Sequence, residues 1–380
     1  MTGSALAVAL LVGVAAVGTA DARRPVAQYV IDLDLPPELR WHAVIHGSNA
    51  EGVAFNDTVW GFYNEYFAND TVVTDALYAL TDLRGEENAE QQGEVRGLAR
   101  ESGLPLKFVQ GIQMLYELQT LQVPIVNCSD YPVPIVCPKQ EPEAERWQLP
   151  EQLAGLARIP SKHRAGCTGI IARTADGSVA HARNLDFSPV PVMTQLVFTG
   201  IFTKGGKEIF RSQMVAGYTS MVTGAKMQKD GSADGFAIER NTRYPDHSSG
   251  NEQMLKNLLS GRVTNGWQLR KVLEEAPNYD AAVAAIAKVP YVSTEYAIVS
   301  GVRKGMIMAK DPDRVAHTQI LGQPNIYQRS DYIIITNFDF FWCVDRMTTR
   351  HTTRTPDRLA ASPPQAGGCM SERVDDPTDI

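Results

Sequence analysis

The chain has 380 residues, 44% of them apolar, enough to bury a sizeable core in one or two domains and to exclude disorder as its overall state. A formal net charge of −7, with 36 Lys and Arg scattered along the chain, offers no basic field for a phosphate backbone and argues against nucleic-acid binding.

Residues 5–17 form an apolar run, and Ala20-Asp21-Ala22 follows as an Ala-x-Ala-like cleavage site, so residues 1–22 read as a secretory signal peptide that lacks the usual basic start. The run is shorter than the roughly 20 residues a membrane span needs. Sequons at Asn56-Asp57-Thr58, Asn69-Asp70-Thr71 and Asn127-Cys128-Ser129 fit the same route. The expected location is the secretory pathway, lysosomal or secreted.

Residues 28–35 alternate as a strand does, and the chain then turns helical, with helices expected over 71–83, 86–100 and 109–119. The apolar stripe of the third helix, Val109, Ile112, Leu115 and Tyr116, reads as core. Prolines at 124, 132, 134, 138, 142, 150 and 160 make 121–166 a linker. After a hairpin beginning at Cys167, strands are expected at 194–202, 208–216, 218–223 and 236–239, helices at 252–259, 267–275 and 281–288, and further strands at 296–299, 306–310, 315–321 and 332–336. Strands, helices, then strands fit two sheets packed face to face with helices outside. The expected units are 1–22, a helical segment at 23–120, the linker at 121–166, a catalytic unit at 167–349 and a disordered tail at 350–380.

The block from Cys167 to Phe187 carries the chemistry. Two apolar runs flank Asp176-Gly177, the strongest short-range hairpin signal. A two-residue turn there pairs 175 with 178 and brings Asp186 opposite Cys167, with Cβ atoms roughly 5 Å apart. Such a layout suits an N-terminal nucleophile, whose freed α-amino group handles the proton of its own thiol. Breaking the Gly166–Cys167 bond would release an amine of pKa about 7.7 to 8.0, close to the thiol's roughly 8.5. Strict alternation sets Arg183 and Asp186 on opposite faces unless the strand bulges near Asn184 and Leu185. A lone cysteine in an apolar strand is otherwise a small hydrophobe, and an Arg-x-x-Asp a surface ion pair. A papain-like pairing of Cys167 with His163 or His181 lacks the Cys-Gly-Ser-Cys-Trp surroundings of that family.

Asn337 ends an apolar strand, where its side-chain N–H can face a developing oxyanion or serve turn chemistry, and Glu239 ends another strand in a similar way. Five cysteines leave one odd. With Cys167 free as the nucleophile, Cys128 with Cys137, and less firmly Cys343 with Cys369, could bridge. No Cys-x-x-Cys occurs and nothing reads as a zinc site, so no metal or other cofactor is implied.

Cys167-Thr168, with Arg183 and Asp186 inside Arg-Asn-Leu-Asp-Phe, resembles the start of the mature catalytic subunit of acid ceramidase and N-acylethanolamine-hydrolysing acid amidase. The Cys167-Thr168-Gly169 opening is also similar to choloylglycine hydrolases. Residues 31–41, Ala216-Gly217-Tyr218 with Thr223-Gly224, Glu239-Arg240 and Thr336-Asn337-Phe338-Asp339 resemble further motifs of the acid amidase and ceramidase pair. The resemblance implies an α+β fold, the four-layer αββα N-terminal-nucleophile hydrolase sandwich. It also implies self-cleavage at Gly166–Cys167 into a small and a large subunit that remain partners, and hydrolysis of N-acylated lipids, ceramide or N-acylethanolamines. Cys167 is then the nucleophile, Asp186 holds the new ammonium, Arg183 holds a carboxylate or a substrate oxygen, Asn337 meets the oxyanion and Glu239 supports the self-cleavage. Arg346 is a looser match. A lipid substrate brings transient contact with a membrane surface or vesicle. Two rival readings remain: an amidase of bile-salt or penicillin type, and a catalytically impaired lipid-binding homologue. The second is suggested by the departure from the family after Asn337, where the chain enters Thr348-Thr349-Arg350-His351 and a Pro-, Gly- and charge-rich end.

Overall fold

A computed structural model describes residues 11–12, 26–67, 69–85, 88–119, 150–158, 166–186, 194–227, 235–244, 248–325 and 329–337. The segment expected as a signal peptide, apart from two residues, most of the expected linker, Cys128, Cys137, Cys343, Cys369, His163, Arg346 and residues 350–380 lie outside the described residues.

After β1 (Leu11–Val12) and β2 (Ala27–Asp32), the chain forms α1 (His42–Ala50), α2 (Phe55–Tyr66), α3 (Thr71–Leu83), α4 (Ala89–Ser102), α5 (Leu106–Ile112) and α6 (Leu115–Leu118). Local chemistry sets the starts and stops. Asp70 accepts from Val72 N at the head of α3, Asn88 accepts from Gln91 N at the head of α4, and Gly103, at φ +75°, ends α4. The helix expected over 109–119 divides at Gln113. That side chain donates to the Gly217 carbonyl at 2.8 Å and accepts from Thr219 N at 2.9 Å, turning α6 towards the sheet. Inside the stretch expected as linker, Glu151–Arg158 form a 3-10 helix with Leu153 and Leu156 buried. It lies so close to α3 that a Cβ on Gly155 would come within 2.3 Å of the Val72 carbonyl.

The hairpin strands are β3 (Gly166–Arg173) and β4 (Val179–Asp186). Then come β5 (Val197–Lys204), β6 (Lys207–Val215), β7 (Thr223–Lys226) and β8 (Phe236–Thr242), followed by α7 (Ser248–Leu259), α8 (Asn265–Glu275) and α9 (Tyr279–Lys288). The chain continues through β9 (Glu295–Gly301), β10 (Gly305–Asp311), β11 (Arg314–Ile320) and β12 (Tyr332–Ile335). The strand expected at 218–223 begins only at Thr223, because 216–222 make a turn at Gly217 with φ +87°.

One sheet runs β11-β10-β9-β8-β7-β6-β5-β2 and the other β1-β4-β3-β12. Ile171, Val179, Ile333 and Ile335 of the smaller sheet form a cluster with Tyr296, Ile298, Ile307 and Ala309 of the larger, so the two pack face to face. The opposite face of the larger sheet, with Phe198, Phe202, Met214, Ile238 and Val299, packs on the helices in a second cluster. Helices, larger sheet and smaller sheet are successive layers of the expected α+β sandwich. β8 and β9 are buried along their whole length, as central strands between two layers must be.

Burial of so many charged groups demands pairing. Glu94 of α4 receives Arg270 of α8 at 2.6 and 2.7 Å, Arg40 at 2.9 Å and the Trp41 indole N–H at 2.9 Å. Further along, Arg240 Nη2 donates to Glu117 of α6 at 2.9 Å and to Glu295 of β9 at 2.6 Å, while its guanidinium lies 4.1 Å from the Tyr116 ring centroid. Both networks join the segment before Cys167 to elements that follow it, the first to α8 and the second to β8 and β9.

Glu295 makes stability depend on pH. Burial raises its carboxyl from 4.5 to about 7 against the opposing pull of Arg240. Between those values the folded chain keeps a proton that the unfolded chain has lost. Its contribution is therefore fully present below pH 4.5 and is lost as pH rises through about 7, by at most about 3 kcal/mol. Urea unfolding should give a higher midpoint near pH 4.5 than near pH 7, and Glu295→Gln, which keeps the shape of the carboxyl but cannot ionise, should flatten that difference.

Candidate active site

The β3–β4 loop is one residue longer than a two-residue turn. Gly177 N donates to Thr174 O, Thr174 N donates to Ser178 O, and Gly177 takes φ +80°. This is a three-residue loop, Ala175-Asp176-Gly177, with glycine in the left-handed position. Asp176 Oδ1 braces it by accepting from the Thr174 hydroxyl, the Ser178 hydroxyl and Ser178 N, which holds the carboxyl well below its usual range. The consequence is a register shift: Cys167 pairs with Leu185, Gly169 with Arg183 and Gly166 with Asp186. The expectation that Asp186 stands opposite Cys167 is therefore corrected. A one-residue slip moves every side chain to the other face.

Regular alternation now sets Cys167, Gly169, Arg183 and His181 on the face towards the larger sheet, without a bulge. Cys167 is 2% exposed. Its Sγ lies 3.2 Å from Tyr116 Oη of α6 and 3.4 Å from Arg183 Nη2. Arg183 also donates to Thr223 Oγ1 at 2.5 Å, to Tyr116 Oη at 3.1 Å and to the Arg240 carbonyl at 3.0 Å. Burial alone would lower the Arg183 pKa, but the surrounding Tyr116, Cys167 and Glu239 hold it above its usual value, so the guanidinium is a fixed positive charge. Burial, and then the neighbouring Cys167, push the Tyr116 phenol well above its usual range, and it remains a neutral hydroxyl.

Glu239 of β8 is fully buried beneath this group. Its Oε1 lies 3.7 Å from Arg183 Nε, and its Oε2 lies 3.0 Å from His181 Nε2. His181 Nδ1 is 2.8 Å from Ser300 Oγ, so both ring nitrogens are engaged away from the sulfur and no papain-like pair forms with His181. The carboxylate fits because position 169 is glycine: a Cβ there would come 2.7 Å from Glu239 Oε1. Asn337, just after β12, accepts from the Cys167 backbone N–H at 2.8 Å through Oδ1 and donates to the Thr242 carbonyl at 2.7 Å through Nδ2.

Asp186 is exposed on the other face, accepting from Asn184 Nδ2 at 2.6 Å. Its carboxylate lies against Gly166, where a Cβ would come 3.0 Å from Oδ2. Four of the five sequence candidates, Cys167, Arg183, Glu239 and Asn337, thus converge, and Asp186 stands across the strand beside the residue that precedes the nucleophile. Sequence reasoning missed Tyr116, read as core, and Thr223, Thr242 and the His181–Glu239 pair. The Tyr116 phenol carried no signal in the sequence, since a tyrosine on a helical apolar stripe is ordinarily packing. An apolar cleft lined by Phe62, Tyr63, Leu115, Tyr116, Leu185 and Val222 adjoins the group, with a volume of about 20 Å³.

A model of the beta subunit of N-acylethanolamine-hydrolyzing acid amidase matches residues 24–69. The chain is 24% identical over 326 residues to the N-acylethanolamine-hydrolyzing acid amidase of Caenorhabditis elegans, covering 83% of this chain and 75% of the relative. It is 24% identical over 332 residues to the acid ceramidase of Heterocephalus glaber, covering 83% and 71%. A solved structure of the Caenorhabditis elegans N-acylethanolamine-hydrolyzing acid amidase ortholog matches with TM-score 0.39 and 24% identity, over 47% of this chain and 73% of that one. Over most of its length the chain is thus similar to N-acylethanolamine-hydrolyzing acid amidases and acid ceramidases.

Proposed function

We propose that this protein hydrolyses the amide bond of an N-acylated lipid, an N-acylethanolamine or a ceramide, to a fatty acid and an amine, with Cys167 as nucleophile after self-cleavage at Gly166–Cys167. The observation that carries the reading is the setting of the thiol. It is buried against a fixed guanidinium, its backbone N–H is held by Asn337, and the two side chains beside it, Tyr116 and Leu185, form one wall of an apolar cleft. The relatives' names supply the substrate class.

In the first step Sγ attacks the Gly166 carbonyl carbon, the bond to the residue-167 nitrogen breaks as that nitrogen gains a proton, and water hydrolyses the thioester to leave a Gly166 carboxylate. Arg183, 3.4 Å from the sulfur, stabilises the thiolate as it forms. Asp186, already beside Gly166, is placed to hold the released ammonium by a charge-assisted hydrogen bond. In turnover the free amine takes the thiol proton and the thiolate adds to the lipid amide carbon. The oxyanion meets the second N–H of Asn337 Nδ2, since only one of its two donors is used by Thr242. Collapse expels the protonated amine, and water releases the fatty acid from Cys167.

A cleft of about 20 Å³ has room for about one water and not for an acyl chain, so its wall must move before lipid enters. Tyr116 and Leu115 come from the segment that precedes the cut and Leu185 from the one that follows. Their separation is the natural opening.

Purified, cleaved protein should release fatty acid from N-acylethanolamine or ceramide in detergent micelles, at a higher kcat/KM than amine from any peptide amide, and Cys167→Ala should release none. Preference for a peptide amide, or equal release by Cys167→Ala, would overturn the reading. Arg183→Lys keeps the charge but loses the fork shared among Thr223, Tyr116 and the Arg240 carbonyl. We expect kcat/KM to fall about 100-fold, or roughly 2.7 kcal/mol. A variant within about threefold of wild type would show that the fork is dispensable.

A further inference from the structure

A second group of chemically active side chains lies away from the thiol. His42 and His46 are one turn apart on α1, and Glu101 stands beside them on α4. His42 Nδ1 and His46 Nε2 both contact the same atom, Glu101 Oε1, the second at 2.9 Å. The imidazole rings lie 4.2 Å apart between centroids. One nitrogen from each ring and one carboxylate oxygen all fall within 4.8 Å of one another.

An i, i+4 spacing on a helix projects two side chains to one side, the arrangement that lets a pair of imidazoles share one ion. Zinc takes imidazole nitrogen at about 2.0 to 2.1 Å and carboxylate oxygen at about 2.0 to 2.2 Å, so neighbouring ligands on a tetrahedron stand about 3.3 Å apart. The three donors here already lie within 4.8 Å of one another. A plain ion pair with Glu101 would employ one histidine, and the convergence of both on a single oxygen is what a shared cation explains better. Both histidine side chains are more than half exposed, which leaves the fourth position open to water.

We propose that His42, His46 and Glu101 form a surface site for a divalent transition metal of the zinc type. Two imidazoles and one carboxylate suit zinc better than magnesium or calcium, which favour all-oxygen shells. The sequence expectation that nothing reads as a zinc site rested on cysteine spacing, and a His-x-x-x-His completed by a glutamate 55 residues on escapes it. The bound ion clamps α1 to α4 at the ends of helices that already meet through Trp41 and Glu94.

Titration calorimetry with zinc chloride on the full chain at about pH 7.5 tests the site. Wild type should bind one zinc per chain and melt at a higher temperature with zinc than without. His46→Ala and Glu101→Gln should each weaken that event at least about tenfold and remove the thermal shift. Absence of binding up to about 1 mM zinc, or variants weakened by less than about tenfold, would overturn the proposal. Both changes are on the helix surface, and unchanged melting without zinc checks that the variants are folded.

Discussion

Arg183 is 6% exposed, so the charge of its guanidinium must be satisfied by protein groups rather than by water. It meets that requirement by reaching five partners on separate pieces of chain: the Cys167 sulfur on β3, Tyr116 on α6, Thr223 on β7, and the Arg240 carbonyl and Glu239 on β8. Removing the guanidinium would leave the buried Glu239 without the cation 3.7 Å from its Oε1. The architecture follows from this one side chain. Glycine at 169 makes room for the carboxylate, Thr223 starts β7 where the fork ends, and the break at Gln113 between α5 and α6 lets α6 present Tyr116.

The site therefore spans both sides of the Gly166–Cys167 bond. Tyr116 and Glu117 are neighbours on α6, the first facing the thiol and the second pairing with Arg240, so one helical turn supplies both a site hydroxyl and a structural anion. Glu94 with Arg270 repeats the pattern between two helices, α4 before the bond and α8 after it. Ion pairs so deeply buried are costly to break, because each separated partner would be left charged in a poor solvent. They give the segment before the bond a reason to stay docked on the segment after it.

The elements with strong local signals were legible in the sequence. Thr71–Leu83 appears over the expected span because Asp70 caps it and its apolar spacing is regular, and the strand–helix–strand order after Cys167 gave the layers. The hairpin was legible as a hairpin, but its register was not. Asp-Gly serves both a two-residue loop and a three-residue loop, and only the Asp176 bracing contacts choose between them. That single residue decides whether Asp186 or Leu185 faces the thiol. Glu239 and Asn337 came through resemblance, since a polar residue at a strand end says nothing alone about what it meets. His181 looked like an ordinary hairpin residue because its partners, Glu239 and Ser300, lie 58 and 119 residues away. Long-range polar pairing of this kind leaves no periodic trace.

The central claim is that residue 167 becomes a chain terminus and that its thiol makes it one. Intact-mass measurement of the purified chain, held at about pH 7 and then at about pH 4.5, with N-terminal sequencing of any fragments, addresses it most directly. The account predicts two fragments on acidification, the larger beginning at Cys167, and a single uncut chain for Cys167→Ala. A wild-type chain that stays whole at both values, or a large fragment that begins at another residue, would contradict it.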